Sequence, residues 1–368
     1  MTFEEKFPKA YAAYADGVAK EKHFGMNTYI SKDGEVLIED AVGNRGPDDR
    51  PLNKDDLMMW MSASKPTGAI AIAQLMEQGK LDFDEPVCEV IDDFGMFGKS
   101  TITTRHMLMH TSCFANVPLP MEMEDWGETI DAICDYPGDE GAEIGETAAY
   151  HSRTSWFILA EMLHRIDGRQ FQDYVREEIF LPLGMEDSWI GMDPARYRDY
   201  EDRLGHIYTT AHGRCTILNS HSERAVTTCI PGGSGRGPVR ELGRLYEMLL
   251  NGGTLDGAQI LKPETVADMS TRHREGKYDA TFMHEIDWGL GFIVNSKNIP
   301  AKTHPYGFGE HASDRAFGHG GKESVNAYTD PEHGLVVITA FNGMPSEPTH
   351  TKRVYEFNTA LYEDLGLA

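Results

Sequence analysis

Ser62 and Lys65 are the residues whose types and spacing most directly suggest chemistry. They lead into the apolar segment 68–76, and residues three positions apart share one face of a helix. A serine hydroxyl is a poor nucleophile until a base takes its proton, and a desolvated lysine with a lowered pKa can help to do this. The spacing fits an acyl-enzyme serine, but four residues alone fit a helix-capping serine beside a solvated lysine better.

The composition limits which partners are reasonable. A formal charge of −25 over 368 residues repels nucleic acid and anionic membranes, which leaves small molecules. No apolar stretch approaches the roughly 18 residues of a membrane span, and the first residues do not resemble a secretory signal, so we expect a cytoplasmic protein. The five scattered cysteines form no C-x-x-C pair, which predicts reduced, structural thiols and no metal site.

Periodicity predicts strands near both ends of the chain and helices between them. The predicted helices are 69–78, 156–166, 171–179, 241–250 and 354–362, and the predicted strands are 29–31, 36–38, 290–294, 325–329 and 335–341. Both ends would then build one sheet, which is an α+β arrangement. We expect one domain from 1–80 with 285–368, and a mostly helical domain from 81–284 that carries the active-site loops.

Further motifs follow Ser62 and Lys65 in order along the chain. They are Gly79-Lys80-Leu81-Asp82, the segment 101–112, Pro182-Leu183-Gly184-Met185, Gly232-Gly233, Leu249-Leu250-Asn251-Gly252-Gly253, Gly318-His319-Gly320-Gly321 and Asp330-Pro331-Glu332. Over nearly the whole chain this order closely resembles the serine β-lactamase-like superfamily, which includes class C β-lactamases, penicillin-binding proteins, D-aminopeptidases and esterases. The resemblance implies an antiparallel sheet flanked by helices and built from both chain ends, a mostly helical inserted domain and no cofactor.

The resemblance also implies roles for the site residues. Ser62 would be the nucleophile, with Lys65 beside it. The motif Tyr150-His151-Ser152 matches a second family motif, and a lysine ammonium next to Tyr150 would favour its phenolate as a base. Its alternative interpretation is a half-buried tyrosine before a helix that Ser152 caps.

The third motif is His319-Gly320-Gly321. Its glycines would let the substrate backbone approach, and the resemblance places the amide N–H of Lys322 opposite that of Ser62 as an oxyanion hole. A mostly neutral His319 replaces the lysine of β-lactamases, which disfavours substrates with a carboxylate and points to esters.

Some positions depart from the family pattern. Cys113 stands where glycine is common, and we expect it to be a small apolar filler. Glu323 follows the third motif, where it could narrow or polarise substrate choice. Met121, Met123 and Trp126 form either the wall of an acyl pocket or part of the core, with neither interpretation favoured.

The sequence thus predicts a serine hydrolase that cleaves carboxylic esters through an acyl-Ser62 intermediate. Alternatives are an acyltransferase of the same fold, an amidase, D-aminopeptidase or β-lactamase, and a binding or sensor module that has lost the chemistry. We expect a small-molecule ester as partner, and a homo-oligomer is an open alternative. Gly98-Lys99-Ser100 lacks the earlier glycine of a phosphate-binding loop, and His106 and His110 lack the glutamate of a zinc hydrolase motif.

Overall fold

A six-stranded antiparallel sheet forms the centre of the computed structural model, which describes residues 1–119 and 125–368. Its strand order is β3-β4-β5-β6-β1-β2. Strand β1 from the start of the chain pairs with β6 from its end, so both chain ends build one sheet, as predicted. The strands are β1 (Gly25–Lys32), β2 (Glu35–Gly43), β3 (Ile293–Val294), β4 (Phe317–Gly321), β5 (Val325–Asp330) and β6 (Leu335–Phe341).

Helices are the main regular elements of the segment between β2 and β3, and helices are also present at both chain ends. No helix of the described residues is long and apolar enough to cross a membrane. The helices are α1 (Phe3–Lys6), α2 (Pro8–Ala19), α3 (Lys65–Glu77), α4 (Thr104–Leu108), α5 (Trp126–Asp135), α6 (Thr154–Asp167), α7 (Phe171–Val175), α8 (Tyr197–Tyr200), α9 (Glu223–Thr227), α10 (Val239–Leu250), α11 (Pro263–Met269) and α12 (Glu347–Asp364).

Short strands complete the structure outside the main sheet. Gly235–Gly237 pairs with Met58–Met59 on one side and with Trp189–Ile190 on the other. The remaining short strands are Tyr208–Thr209, Thr216–Ile217, Gly343–Met344, Thr254–Leu255, Ala258–Gln259, Tyr278–Asp279 and His284–Glu285.

Both faces of the sheet are buried at β6, which explains why all of its residues except Thr339 are apolar. Successive side chains of a strand point to opposite faces. Val336 and Ile338 belong to the core that includes α3, α6 and α10, whereas Val337 and Phe341 belong to the core that includes α1, α2 and α12. Helices therefore cover the sheet on both sides.

Two predicted elements are interrupted or shortened in the structure, whereas others, such as the predicted helix 354–362, are longer in it. The predicted helix 171–179 is α7 followed by a π-helical turn, Arg176–Phe180. The predicted strand 290–294 is reduced to β3, because the amide of Gly289 donates to the carbonyl of Phe292 and Gly291 has a φ of +85°. That tight turn includes apolar residues that the sequence pattern had assigned to a strand.

Candidate active site

Ser62 lies in a single 3₁₀ turn, Met61–Ser64, that leads directly into α3. The Ser64 hydroxyl donates to the Met61 carbonyl at 2.6 Å and accepts from the Gly235 amide at 3.0 Å, which fixes the turn. Met61 has a left-handed φ of +52°, an uncommon conformation for a residue with a side chain. The turn leaves Ser62 partly exposed beside a cavity.

The Lys65 amine lies beneath Ser62 and is fully buried. Its Nζ is 3.1 Å from the Ser62 Oγ and 2.8 Å from each of the carbonyl oxygens of Ser152 and Gly232. Burial lowers the pKa of Lys65 well below its usual value. A neutral amine has two N–H bonds and one lone pair, so the two carbonyls can accept both N–H bonds while the lone pair faces the Ser62 hydroxyl. The arrangement therefore suits Lys65 as an acceptor of the Ser62 proton.

Tyr150 lies next to this pair, with its ring centroid 5.1 Å from the Lys65 Nζ. Burial raises the pKa of Tyr150 above its usual value, and a hydrogen bond with the Ser62 side chain opposes this only in part. Burial therefore opposes the predicted Tyr150 phenolate in the resting site. Desolvation disfavours the charged forms of both side chains, the ammonium of Lys65 and the phenolate of Tyr150.

A buried ion pair holds Tyr150 in place. The Arg274 guanidinium lies 3.1 Å from the Asp279 Oδ2, and the other carboxylate oxygen accepts from the Tyr150 amide at 3.0 Å. That oxygen also accepts from the amides of Thr281 and Phe282. The hairpin that carries Phe282 is therefore tied to the backbone of Tyr150. Sequence reasoning missed this pair, since a lone aspartate and arginine in a loop carry no motif.

His319 is buried on β4 beside these residues, and its Nδ1 lies 2.7 Å from the Gly320 carbonyl oxygen. Burial lowers the pKa of His319 to about 3, which agrees with the predicted neutral imidazole. A Cβ on Gly320 would lie 2.1 Å from Tyr306, and one on Gly321 would lie 2.2 Å from the Trp60 carbonyl oxygen. Protein packing thus requires both glycines, and the approach of a substrate backbone remains a prediction.

The turn after β4 contains the remaining candidate residues. The Lys322 side chain is exposed, and Glu323 has a left-handed φ of +47°. The buried Arg353 guanidinium donates to the Glu323 carbonyl at 2.9 Å and so fixes the turn. The use of the Lys322 amide as an oxyanion donor stays a proposal.

One cavity of about 710 Å³ brings most of the predicted residues together. Lys65 lies beneath its floor, and Gly321, the last residue of β4, packs against the Trp60 backbone and does not line the cavity. The predicted residues that line it are Ser62, Tyr150, Ser152, His319, Gly320 and Lys322, and lining residues that sequence reasoning missed include Phe282, Met283, Tyr306 and Glu347.

Two other candidate residues, Trp126 and Cys113, are packed inside the protein and do not line the cavity. Trp126 packs against Phe157 and donates to Glu161 at 2.8 Å, so it belongs to the core and not to the cavity wall. Met121 and Met123 lie outside the described residues. Burial raises the pKa of Cys113 to about 11, which agrees with an unreactive filler.

His106 and His110, which do not form a zinc hydrolase motif, also have structural roles. The Nδ1 of His110 accepts from the His151 amide at 3.0 Å, and His106 caps α4. Within residues 1–119 and 125–368, no group of three or more potential metal ligands comes together.

Comparisons with known proteins agree with this geometry. The family model described as Beta-lactamase matches residues 11–360. The esterase/β-lactamase LipL of Mycobacterium tuberculosis is 24% identical over 331 residues, which cover 80% of this chain and 71% of LipL. A penicillin-binding protein homologue from Caulobacter crescentus superposes with a TM-score of 0.81 at 25% identity over 98% of both chains. A family VIII carboxylesterase shares the fold, with a TM-score of 0.81 at 22% identity over 98% of this chain and 97% of that one.

Proposed function

We propose, because this chain belongs to the Beta-lactamase family, that it is a serine hydrolase which cleaves carboxylic esters through an acyl-Ser62 intermediate. Its relatives support a hydrolase of the β-lactamase fold. The observation that carries the proposal is the buried Lys65 amine, 3.1 Å from the Ser62 hydroxyl and held by two carbonyls. A lysine in that environment can activate a serine without a histidine.

In the acylation step, the Ser62 Oγ attacks the ester carbonyl carbon while its proton passes to the Lys65 amine. The tetrahedral oxyanion would be bound by the backbone amides of Ser62 and Lys322. On collapse, the bond to the alcohol oxygen breaks. Tyr150 gives its phenolic proton to that oxygen and recovers a proton from the Lys65 ammonium.

In the deacylation step, a water attacks the acyl-Ser62 carbonyl and gives a proton to the same Lys65 and Tyr150 pair. The bond to the Ser62 Oγ breaks, Oγ recovers a proton, and the free carboxylic acid leaves. Each group returns to its starting state, so the cycle needs no cofactor.

The neutral His319 supports an ester in preference to a β-lactam or a peptide carboxy terminus. Those substrates carry a carboxylate, and β-lactamases place a permanent lysine cation at the first position of this motif. An imidazole whose pKa is about 3 offers no such charge near neutral pH.

Intact mass spectrometry tests the proposal. The protein is exposed to a fluorophosphonate and to short-chain p-nitrophenyl esters, and p-nitrophenol release is followed in parallel. We expect one stable adduct on Ser62 and ester turnover, with neither in Ser62→Ala. Unchanged hydrolysis in that variant would refute the nucleophile. Feeble hydrolysis with rapid product formation after addition of an alcohol or amine would instead indicate an acyltransferase.

A further inference from the structure

The cavity beside Ser62 has an aromatic wall that the acylation chemistry does not use. The Phe282 ring lies 4.7 Å from the Tyr150 ring and 5.9 Å from the Tyr306 ring, measured between centroids. Met283 extends this wall at the mouth and is 73% exposed. Aromatic faces attract cations as well as apolar groups, because their π-electrons make the face negative.

One carboxylate, that of Glu347, lies in the same cavity. Glu347 is in the first turn of the 18-residue helix α12, where the helix dipole favours negative charge. Its Oε2 accepts from the Tyr306 hydroxyl at 2.6 Å, which fixes the carboxylate. Its Oε1 has no hydrogen bond to any residue that the structure describes, and the side chain is solvent-accessible through the open cavity. One oxygen of Glu347 is thus held by Tyr306, and the other is free to accept from a ligand.

Other charged groups face the same cavity. Lys302 and Lys322 line its mouth, and both are exposed on long flexible side chains. Partial burial raises the pKa of Glu347, and the charge of Glu323 acts in the same direction, whereas the hydrogen bond from Tyr306 and the charge of Lys322 lower it. Exposed lysines are screened and mobile, whereas Glu347 is fixed by Tyr306. A ligand cation that reaches Glu347 therefore contacts a side chain held in a fixed position, whereas the two lysines are flexible.

We propose that Glu347 and the aromatic wall select ester substrates that carry an ammonium group. The proposal rests on the proposed esterase function and names its substrate class. The ammonium would contact the free Oε1 of Glu347 and the faces of Phe282 and Tyr306. The net charge of −25 adds a long-range attraction for cations and repels anionic esters.

Two series of esters test this selection at pH 7.5 and low salt. In one, the charge is on the leaving group: butyrylthiocholine is compared with its uncharged 3,3-dimethylbutyl thioester. In the other, it is on the acyl group: the p-nitrophenyl esters of 4-trimethylammoniobutanoic, 5,5-dimethylhexanoic and glutaric acids are cationic, neutral and anionic. Trimethylammonium is a permanent cation, so its charge does not change with pH. The variants are Glu347→Gln and, as a matched control, Glu356→Gln, whose carboxylate pairs with Lys352 on the same helix.

We expect wild type to prefer the cationic ester over its neutral analogue by at least about tenfold in kcat/KM in one of the series, and to use the anionic ester least. Glu347→Gln should remove most of that preference and leave the neutral ester within threefold of wild type, while Glu356→Gln keeps the preference. Ser62-dependent hydrolysis of neutral esters without a Glu347-dependent preference, or with a preference for the anion, would overturn this inference and leave the esterase proposal intact. Absence of any Ser62-dependent acylation would instead refute the esterase proposal.

Discussion

Replacing Lys65 with methionine removes the amine that lies 3.1 Å from the Ser62 hydroxyl and keeps a side chain of similar length. A positioned general base contributes about 10²–10⁴-fold to a rate. At about 1.36 kcal/mol per tenfold change, this is roughly 2.7–5.4 kcal/mol of transition-state stabilisation. We therefore expect Lys65→Met to slow acylation by about 10²–10⁴-fold.

The fold should survive this change. Lys65 is already fully buried and desolvated, so an apolar side chain suits the site. The Gly232 carbonyl loses its hydrogen bond, which costs about 1–3 kcal/mol, and the added apolar burial offsets part of this. The Ser152 carbonyl loses its hydrogen bond from Lys65 as well. Circular dichroism and the melting temperature check that the variant is folded.

Single-turnover labelling with a fluorophosphonate measures acylation directly. Lys80→Met is the matched control, because Lys80 is an exposed lysine just after α3 whose nearest carboxylate, that of Asp167, lies 3.9 Å away. Acylation of Lys65→Met within threefold of wild type, in a folded protein, would refute Lys65 as the base.

The pH dependence separates Lys65 from Tyr150. Lys65 must be neutral to accept a proton, and burial lowers its pKa, so activity should rise with pH through a value well below the usual 10.5 of lysine and fall as acid protonates the amine. A required Tyr150 phenolate would instead place the rise above pH 10, because burial raises the pKa of that phenol. A profile of kcat/KM against pH that rises only above pH 10 would contradict the Lys65 mechanism.

Three further predictions concern the surroundings of this pair. Tyr150→Phe should lose orders of magnitude in both half-reactions, and burst kinetics in which only deacylation slows would assign proton transfer during acylation to another group. Gly232→Ala should lower both the melting temperature and the acylation rate, because its Cβ would lie 2.7 Å from the Trp156 ring and displace the carbonyl that holds Lys65; wild-type values for both would contradict this. Neutral short-chain esters should exceed nitrocefin in kcat/KM by at least about a hundredfold, or roughly 2.7 kcal/mol, and equal efficiencies would favour a β-lactamase.

The local pattern of apolar residues predicted a strand or helix well where a single regular element contains all the apolar residues of the segment. The strand 335–341 has the predicted bounds because both of its faces are buried, and the hairpin of β1 and β2 follows the turn at Asp33 and Gly34. The length of the predicted strand 290–294 was overestimated because Gly289 and Gly291 belong to a turn. A turn between apolar residues gives the same periodicity of apolar residues as a strand.

The sequence indicated the candidate residues of the site and a neutral His319, but not how burial affects the charges of Lys65 and Tyr150. The motifs located Ser62, Lys65 and Tyr150, because residue type and order are properties of the sequence. Whether Lys65 is an ammonium or an amine depends on how much protein surrounds it, and the Gly232 carbonyl that binds it comes from a loop 167 residues away. The same holds for Glu347, whose carboxylate is fixed by Tyr306, 41 residues distant. No sequence motif indicates that Lys65 contacts Gly232 or that Glu347 contacts Tyr306. The proposed chemistry of the site therefore follows from short motifs, whereas the proposed proton acceptor and the proposed selectivity follow from burial and from contacts that only the folded chain creates.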